Sequence, residues 1–477
     1  MPKIAIIGAG SIVFTKTLVN DIFATPALRG AEIALMDRME PKLKRMEAFI
    51  QRVIDSNNLP ATVWSTLDRR KALDGADYVI VLIQVGGMQA FGVDYEVPLK
   101  HGVDQCIGDT LGPGGIFRAL RTIPPVVGIA RDMEELCPTA LMLNYSKPMA
   151  AVCYGLGKAS RVASIGLCHG VQTTMDLIAS YVGERKEDIQ FLAAGINHMA
   201  WFLRLEKDGE DLYPRLRAKI EKPEYYVNEK VRCEVMRHFG YFMTESTGHL
   251  SEYVPWFRSS QRALDLYCDE PSFGGESGAY YKWGKVIAEK FETVDALSFE
   301  TPELTPRSAE YCSYIMEAME TDNVFRLNGN VRNDGLITNL TPGCCVEVPV
   351  YVDKTGLHAT HVGALPPQLA ALNQTNVTVQ GLTVEAALTG DPELIVAAIA
   401  LDPLTSACLT LKEARDMASE MLEVSREWLP EFDGRRIEPR PTIEIPKDVQ
   451  RAAVPLDPAL AIGRRFATLM DVEVPRT

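Results

Sequence analysis

Runs of apolar residues without alternation mark the first part of the chain. "KIAII", "EIALM", "YVIVL" and "ALMLN" each carry four or five apolar residues in a row, and "VASIG" is a shorter run broken by one serine, the pattern of strands covered on both faces. Between them the spacing changes. "VFTKTLVNDIFAT" and "KLKRMEAFIQRVIDS" repeat apolar positions every three or four residues, as helices do. Strands alternating with helices predict a parallel sheet with helices on both faces. Past about position 195 the order changes: "INHMAWFLRLEKDGEDLYPRL" reads as strand, turn and helix, "CCVEVPVYVDKTGLHAT" is strand-rich, and two apolar helices follow. The proline-rich "EPRPTIEIP", Glu438 to Pro446, opens a C-terminal extension. No internal repeat or low-complexity segment is visible.

The expected fold class is therefore α/β: a Rossmann-like doubly wound parallel sheet over 1–195, a mixed α+β catalytic and oligomerisation domain over 196–435, and an extension over 436–477. The 477 residues are 47% hydrophobic and 23% charged, with net charge −14. Such a balance suits a globular chain with its own core and argues against nucleic-acid or anionic-membrane partners, which need a basic face. No apolar run approaches the ~18 residues of a membrane span. The opening "MPKIAIIGAG" lacks the pattern of a secretory signal. Ten cysteines without framework spacing then suggest reduced thiols and a cytoplasmic setting.

Four stretches carry candidate chemistry. "GAGSIVF", Gly8 to Phe14, follows a strand and opens a helix. Gly8 permits the tight turn, Gly10 lets backbone approach a pyrophosphate, and the helix N-terminus faces the phosphates. Asp37 ends the second strand, where a carboxylate holds ribose hydroxyls and favours NAD over NADP. The third glycine of the usual fingerprint is absent, and a plain strand–helix turn is the alternative. "QCIGDTLGPGGIFRALRTIP" sets Asp109 before a glycine loop, with Arg118 and Arg121 on one helix face; an ordinary glycine turn with solvated arginines accounts for it equally. "GLCHG" and "GINHM" bring Cys168, His169, Asn197 and His198. Thiolate and imidazole suit a borderline divalent metal, and inert packing is the rival account. "GYFMTESTGHLSEYVPWF" crowds Glu245, His249, Glu252 and Tyr253, any of which could carry a proton.

Together with "LNY..PMA" and "GNVRNDGLI.NL..GCCVEVP", these motifs resemble glycoside hydrolase family 4, the NAD- and metal-dependent glycosidases, over residues 1 to about 435. Their order is similar to the melibiase-type α-galactosidases, while Cys168-His169-Gly170 looks like the family's α-glucosidases. The resemblance implies a reaction outside the two-carboxylate scheme: NAD+ takes hydride from sugar C3, a metal, usually Mn2+, polarises the C2 and C3 oxygens, a base removes the C2 proton, the aglycone leaves, water adds and the hydride returns. Carried over residue by residue, Asp109 is the acid assisting the leaving group and Tyr253 the C2 base. Cys168 and His198 are the metal ligands. Gly8, Gly10, Ser11, Ile12, Asp37 and Gln84 form the dinucleotide site. His169 and Asn197 fall beside the sugar, and Arg332 with Asn330 contacts the sugar or a neighbouring subunit of a homodimer or homotetramer.

Two positions depart from the family pattern. Gly170 stands where melibiases carry serine, which leaves room near the sugar. Lys147 stands where the family carries asparagine; it donates to the C3 hydroxyl, pairs with an anionic substituent, or repels the metal. The Asp or Asn that 6-phosphoglycosidases carry after the cysteine is absent, so a phosphorylated sugar is not expected. The resulting expectation is an α-glycosidase, α-glucosides ahead of α-galactosides, with an anionic glycoside (a uronide or sulfonated sugar) next. The alternatives are a sugar dehydrogenase that accumulates NADH, and a non-catalytic nucleotide-binding regulator on the same fold.

Overall fold

A computed structural model describes residues 1–293, 297, 301–450, 452–455, 457–459, 462 and 466. Residues Met1–Pro439 form one compact unit and Arg440–Thr477 a second. In the first unit the expected strands appear as β1 (Lys3–Ile7), β2 (Glu32–Met36), β4 (Tyr78–Val81), β5 (Leu141–Asn144) and β6 (Ser164–Gly166), and a strand the apolar pattern did not mark, β3 (Thr62–Thr66), joins them at the edge. All neighbours among them pair parallel, in the order β3-β2-β1-β4-β5-β6. This is the doubly wound dinucleotide-fold order, whose direction of winding reverses between β1 and β4. The connecting helices are α1 (Ile12–Ala24), α2 (Glu40–Ser56), α3 (Arg69–Leu73), α4 (Gly87–Lys100), α5 (Gly112–Leu136) and α6 (Met149–Ala159); α7 (Gly170–Val182) follows β6.

Burial explains why the inner strands β1 and β4 are uniformly apolar, unlike the part-exposed edge strand β3. In β1, Ile4 and Ile6 enter one core, and Ala5 and Ile7 the other. In β4, Tyr78 and Ile80 take the first face and Val79 and Val81 the second. Successive side chains point to opposite faces, so a sheet covered twice needs apolar residues at every position.

The sheet does not stop at β6. It continues antiparallel through β10 (Phe325–Arg332) and β11 (Cys345–Asp353), then β7 (Gln190–Ile196), β8 (Met199–Lys207) and β9 (Glu210–Asp211), with β12 (Gly356–Ala359) on β11. β7 spans the expected division at 195. β10 inserts between β6 and β11, an order that local periodicity does not reveal. Among the described residues no helix is long and apolar enough to cross a membrane.

Candidate active site

Ligands of doubly wound sheets bind beyond the C-terminal ends of the parallel strands, near the switch point. Here β1, β4, β5 and β6 lead respectively to Gly8–Ser11, Leu82–Gln84, Tyr145–Lys147 and Leu167–His169. These segments border a cavity of about 700 Å³.

At one end lies the glycine turn. Gly8 has φ +94°, and a Cβ there would lie 2.8 Å from the Leu82 carbonyl group. Gly8 N–H and Ala9 N–H donate to the Met36 carbonyl, and Asp37 accepts from Gly10 N–H at 2.9 Å and Met39 N–H at 2.8 Å. Ser11 caps α1 without using its side chain, which leaves the first N–H groups of the helix directed outward. This cradle fits a dinucleotide pyrophosphate, with Asp37 alongside for the ribose. Ser11, Phe14 and Gln84 line the cavity. Ile12 opens α1 and packs half-buried against the core, away from the cavity wall.

At the other end a two-residue turn between β7 and β8 holds Asn197 and His198. His198 sits at φ +65°, a left-handed conformation rare for a residue with a side chain. Its imidazole reaches Cys168, with Nε2 3.5 Å from Sγ. The segment Met243–Thr244 runs beside β8: Met243 bridges Trp201, and Thr244 N–H donates to the Ala200 carbonyl at 2.8 Å. That pairing brings Glu245, itself at φ +84°, to His198, with Oε1 3.4 Å from Nε2. Non-glycine residues at positive φ each store about 1–3 kcal/mol and concentrate at functional sites. Two of them meet here.

The donor atoms of Cys168, His198 and Glu245 lie within 4.8 Å of one another. Metal–ligand bonds of about 2.0–2.3 Å span spacings of 3.4–3.5 Å around one ion, so the set fits a divalent cation. Its chemistry agrees. Burial pushes His198 down to about 3, which keeps the imidazole neutral, the form that ligates. Burial pushes the Cys168 thiol up, so the thiolate needs a cation to persist. His198 turns Nε2 to the cluster and Nδ1 to the Tyr253 hydroxyl, 2.9 Å away.

That contact corrects the expected place of Tyr253. Its side chain is fully buried behind His198 and does not line the cavity. Burial holds its hydroxyl proton well above the ordinary value, and its hydroxyl takes the Nδ1 proton that a metal-binding tautomer carries, orienting the ring. His249 joins His169 and His198 on the cavity wall, its Nδ1 3.3 Å from Glu245 Oε2 and 3.4 Å from Ser246 Oγ.

Lys147 lies inside, not outward in solvent: Nζ is 3.2 Å from His198 Nε2 and 3.6 Å from Cys168 Sγ. Burial lowers its pKa, but Cys168, Asp109 and Glu245 outweigh that and raise it.

Asp109 lines the cavity on the α4–α5 loop. Gly114 and Gly115 let α5 press on this loop: a Cβ at 114 would lie 2.4 Å from the Gly108 carbonyl oxygen, and one at 115 2.5 Å from the Thr110 carbonyl carbon. Glu252, a candidate proton carrier in the sequence, braces the loop by accepting from the N–H groups of Cys106, Ile107 and Gly108 at 2.8, 3.1 and 3.0 Å. Burial raises the Asp109 pKa, but Arg118, Lys147 and His249 outweigh it and hold the carboxyl below its ordinary value. It therefore stands as a carboxylate, which departs from the proton-loaded acid expected.

The remaining expectations divide. His169 borders the cavity, half exposed, with Nδ1 3.6 Å from Glu310. Asn197 is buried beneath the turn, neither amide atom has a hydrogen-bond partner, and it does not line the cavity. Arg332 is off the site altogether: its exposed guanidinium donates to the Gly157 carbonyl and pairs with Asp334 at 3.1 Å. Asn330 is buried and donates to the Gly166 carbonyl. Both lie on β10, whose place between β6 and β11 directs them away from the cavity. Arg118 was read as a helix-face cation; it lines the cavity, with Nη1 buried 3.6 Å from Asp109 Oδ2.

The profile of the Family 4 glycosyl hydrolase matches residues 3–184, and that of the Family 4 glycosyl hydrolase C-terminal domain matches 193–405. An alpha-galactosidase of Rhizobium meliloti is 40% identical over 90% of this chain and 89% of its own length. An alpha-galactosidase of Bacillus subtilis is 41% identical over 91% and 100%. Among solved structures, the 6-phospho-beta glucosidase of Thermotoga maritima with manganese, NAD+ and glucose-6-phosphate superimposes with a TM-score of 0.73 at 23% identity, over 89% of this chain and 99% of that one.

Proposed function

The chain belongs to the family 4 glycosyl hydrolases and is a glycosidase; from that premise we propose that it is an NAD+- and divalent-metal-dependent α-glycosidase with α-galactosides as its first substrates. The observation that carries this reading is one cavity bordered at one end by a dinucleotide turn and at the other by Cys168, His198 and Glu245. The two relatives at 40–41% identity are both named alpha-galactosidases, which supports placing galactosides ahead of the glucosides expected from Gly170. Lys147 faces Cys168 and His198, which withdraws the main ground for an anionic sugar.

The dinucleotide rests on Gly8 to Ser11 with Asp37 at its ribose, and Cys168 and His198 hold the metal, most simply Mn2+ as in the Thermotoga neighbour. When bound, NAD+ accepts and returns the hydride at sugar C3, and the cation draws electron density from the C2 and C3 oxygens. The chain supplies the rest. Tyr253 fixes the His198 ring through Nδ1. His249 carries the C2 proton in place of Tyr253, because its imidazole is on the cavity wall and Glu245 and Ser246 set its angle. Asp109, as a carboxylate beside Arg118, accepts from a sugar hydroxyl. Arg118 and Lys147 keep it ionised. His169 stands at the rim. A homo-oligomer in the cytoplasm remains part of the same proposal.

The test is p-nitrophenol release from α- and β-glycosides, with NAD+, Mn2+ and reductant each omitted in turn. Release from the α-galactoside that needs NAD+ and Mn2+, with no net NADH, is the expected result. NADH accumulating on free sugar without glycoside cleavage would overturn it in favour of a dehydrogenase.

A further inference from the structure

We infer that Glu245 is a third protein ligand of the divalent cation, and that residue 170 is glycine because this carboxylate occupies the room a side chain there would take. The inference rests on the metal-dependent reading above and adds to it a residue that the Cys168–His198 pair does not include.

Three observations on the site converge. Glu245 Oε1 faces His198 Nε2 at 3.4 Å, and its separations from the Cys168 and His198 donor atoms are those of a single binding point. The carboxylate is held from outside the cluster by His249, whose Nδ1 lies 3.3 Å from Oε2, and the Glu245 backbone is fixed by Arg232, which donates to its carbonyl oxygen. Oε1 is thus the oxygen left to turn inward. At Gly170, the first residue of α7, an added Cβ would lie 2.6 Å from Glu245 Oε1 and 3.9 Å from Cys168 Sγ. A contact of that length is closer than nonbonded atoms approach, so any side chain at 170 displaces this oxygen. Glycine at 170 reports on the carboxylate, and its lack of a side chain leaves no vacant space beside the sugar.

Charge supplies the reason for the ligand. Lys147 places an ammonium 3.2 Å from His198 Nε2, where it repels a dication. A thiolate and a neutral imidazole bring one negative charge. A carboxylate brings a second, so the protein donors balance a divalent ion and Lys147 is left to Asp109. Of the three donors, the hard carboxylate oxygen is the one that suits Mn2+.

The experiment measures Mn2+ binding to the full-length, chelator-stripped protein from the electron paramagnetic resonance signal of free Mn2+, without turnover. Wild type, E245Q, G170A and the double variant are compared, with NAD+ affinity and thermal midpoint measured on each as checks of the fold. E245Q is expected to raise the Mn2+ Kd about 100-fold, and G170A, which keeps every donor atom, about 10-fold. The double variant is expected to bind no more than about threefold weaker than E245Q, because both changes remove one interaction. Wild type binding Mn2+ while E245Q binds within about threefold of it would overturn Glu245 as a ligand. Full additivity of the two changes would overturn the account of Gly170. Wild type that takes up no Mn2+ would bring down the metal-dependent reading itself. If E245Q fails to fold, G170A alone decides: an unchanged Kd refutes the inference.

Discussion

Glu347 offers a sharp test of the physics around the site. It lies on β11, paired across to Asn330 and Gly195, 1% exposed, with Oε1 lacking any hydrogen-bond partner. Burial pushes its pKa from 4.5 up to about 8, Glu245 adds to the rise, and Lys147 and Asn197 oppose it. The sign follows. Below pH 4.5 both folded and unfolded chains hold the proton and the group brings no penalty. Above it the unfolded chain releases the proton first, so the native state loses stability until the folded group ionises near 8. At about 1.4 kcal/mol per pH unit, the penalty reaches roughly 5 kcal/mol at high pH, and roughly half of it accrues between pH 6 and pH 9. Glu347→Gln keeps the shape and removes the proton. Urea unfolding of wild type and E347Q at pH 6 and pH 9 isolates the group, because every other titration is shared. The stability difference is expected to move in favour of E347Q by about 2–3 kcal/mol over that interval. A difference that stays constant would refute the claim that burial dominates at Glu347.

Tyr253→Phe is expected to weaken Mn2+ binding about 10-fold while retaining exchange of the substrate C2 proton with D2O, whereas His249→Ala abolishes exchange; loss of exchange in Y253F with unchanged Mn2+ affinity would restore Tyr253 as the base. Gly114→Ala drives a Cβ to 2.4 Å from the Gly108 oxygen and should lower stability by about 1–3 kcal/mol, read by thermal unfolding, together with activity through the Asp109 loop; a variant melting with wild type would show that the loop yields freely. Arg332→Ala should leave kcat/KM within about twofold, as expected for an exposed side chain away from such features, and a tenfold loss in the same glycoside assay would place Arg332 in a site.

Much of the parallel half was legible in the chain because its signals are local. Strands covered on both faces must be apolar throughout, as Ile4 to Ile7 and Tyr78 to Val81 are, and the turn at Gly8 with Asp37 at the end of β2 follows from chemistry within one strand–helix–strand unit. Cys168 and His198 stood out by residue type alone. Their convergence did not. It depends on β10 and β11 entering between β6 and β7, an arrangement of segments far apart in the chain that no periodicity encodes. The same arrangement turned Arg332 and Asn330 away from the cavity, buried Asn197 under its turn, and set Tyr253 behind His198. Glu245 was visible only as one acid in a crowded stretch, because a positive φ and a pairing of Thr244 with Ala200 are properties of the folded backbone. Gly170 shows the division most plainly: the residue was read from the sequence as space for substrate, and packing assigned that space to a carboxylate. Sequence determined which residues had the chemistry; tertiary structure decided which of them meet, since contact between distant segments is set by strand order and packing.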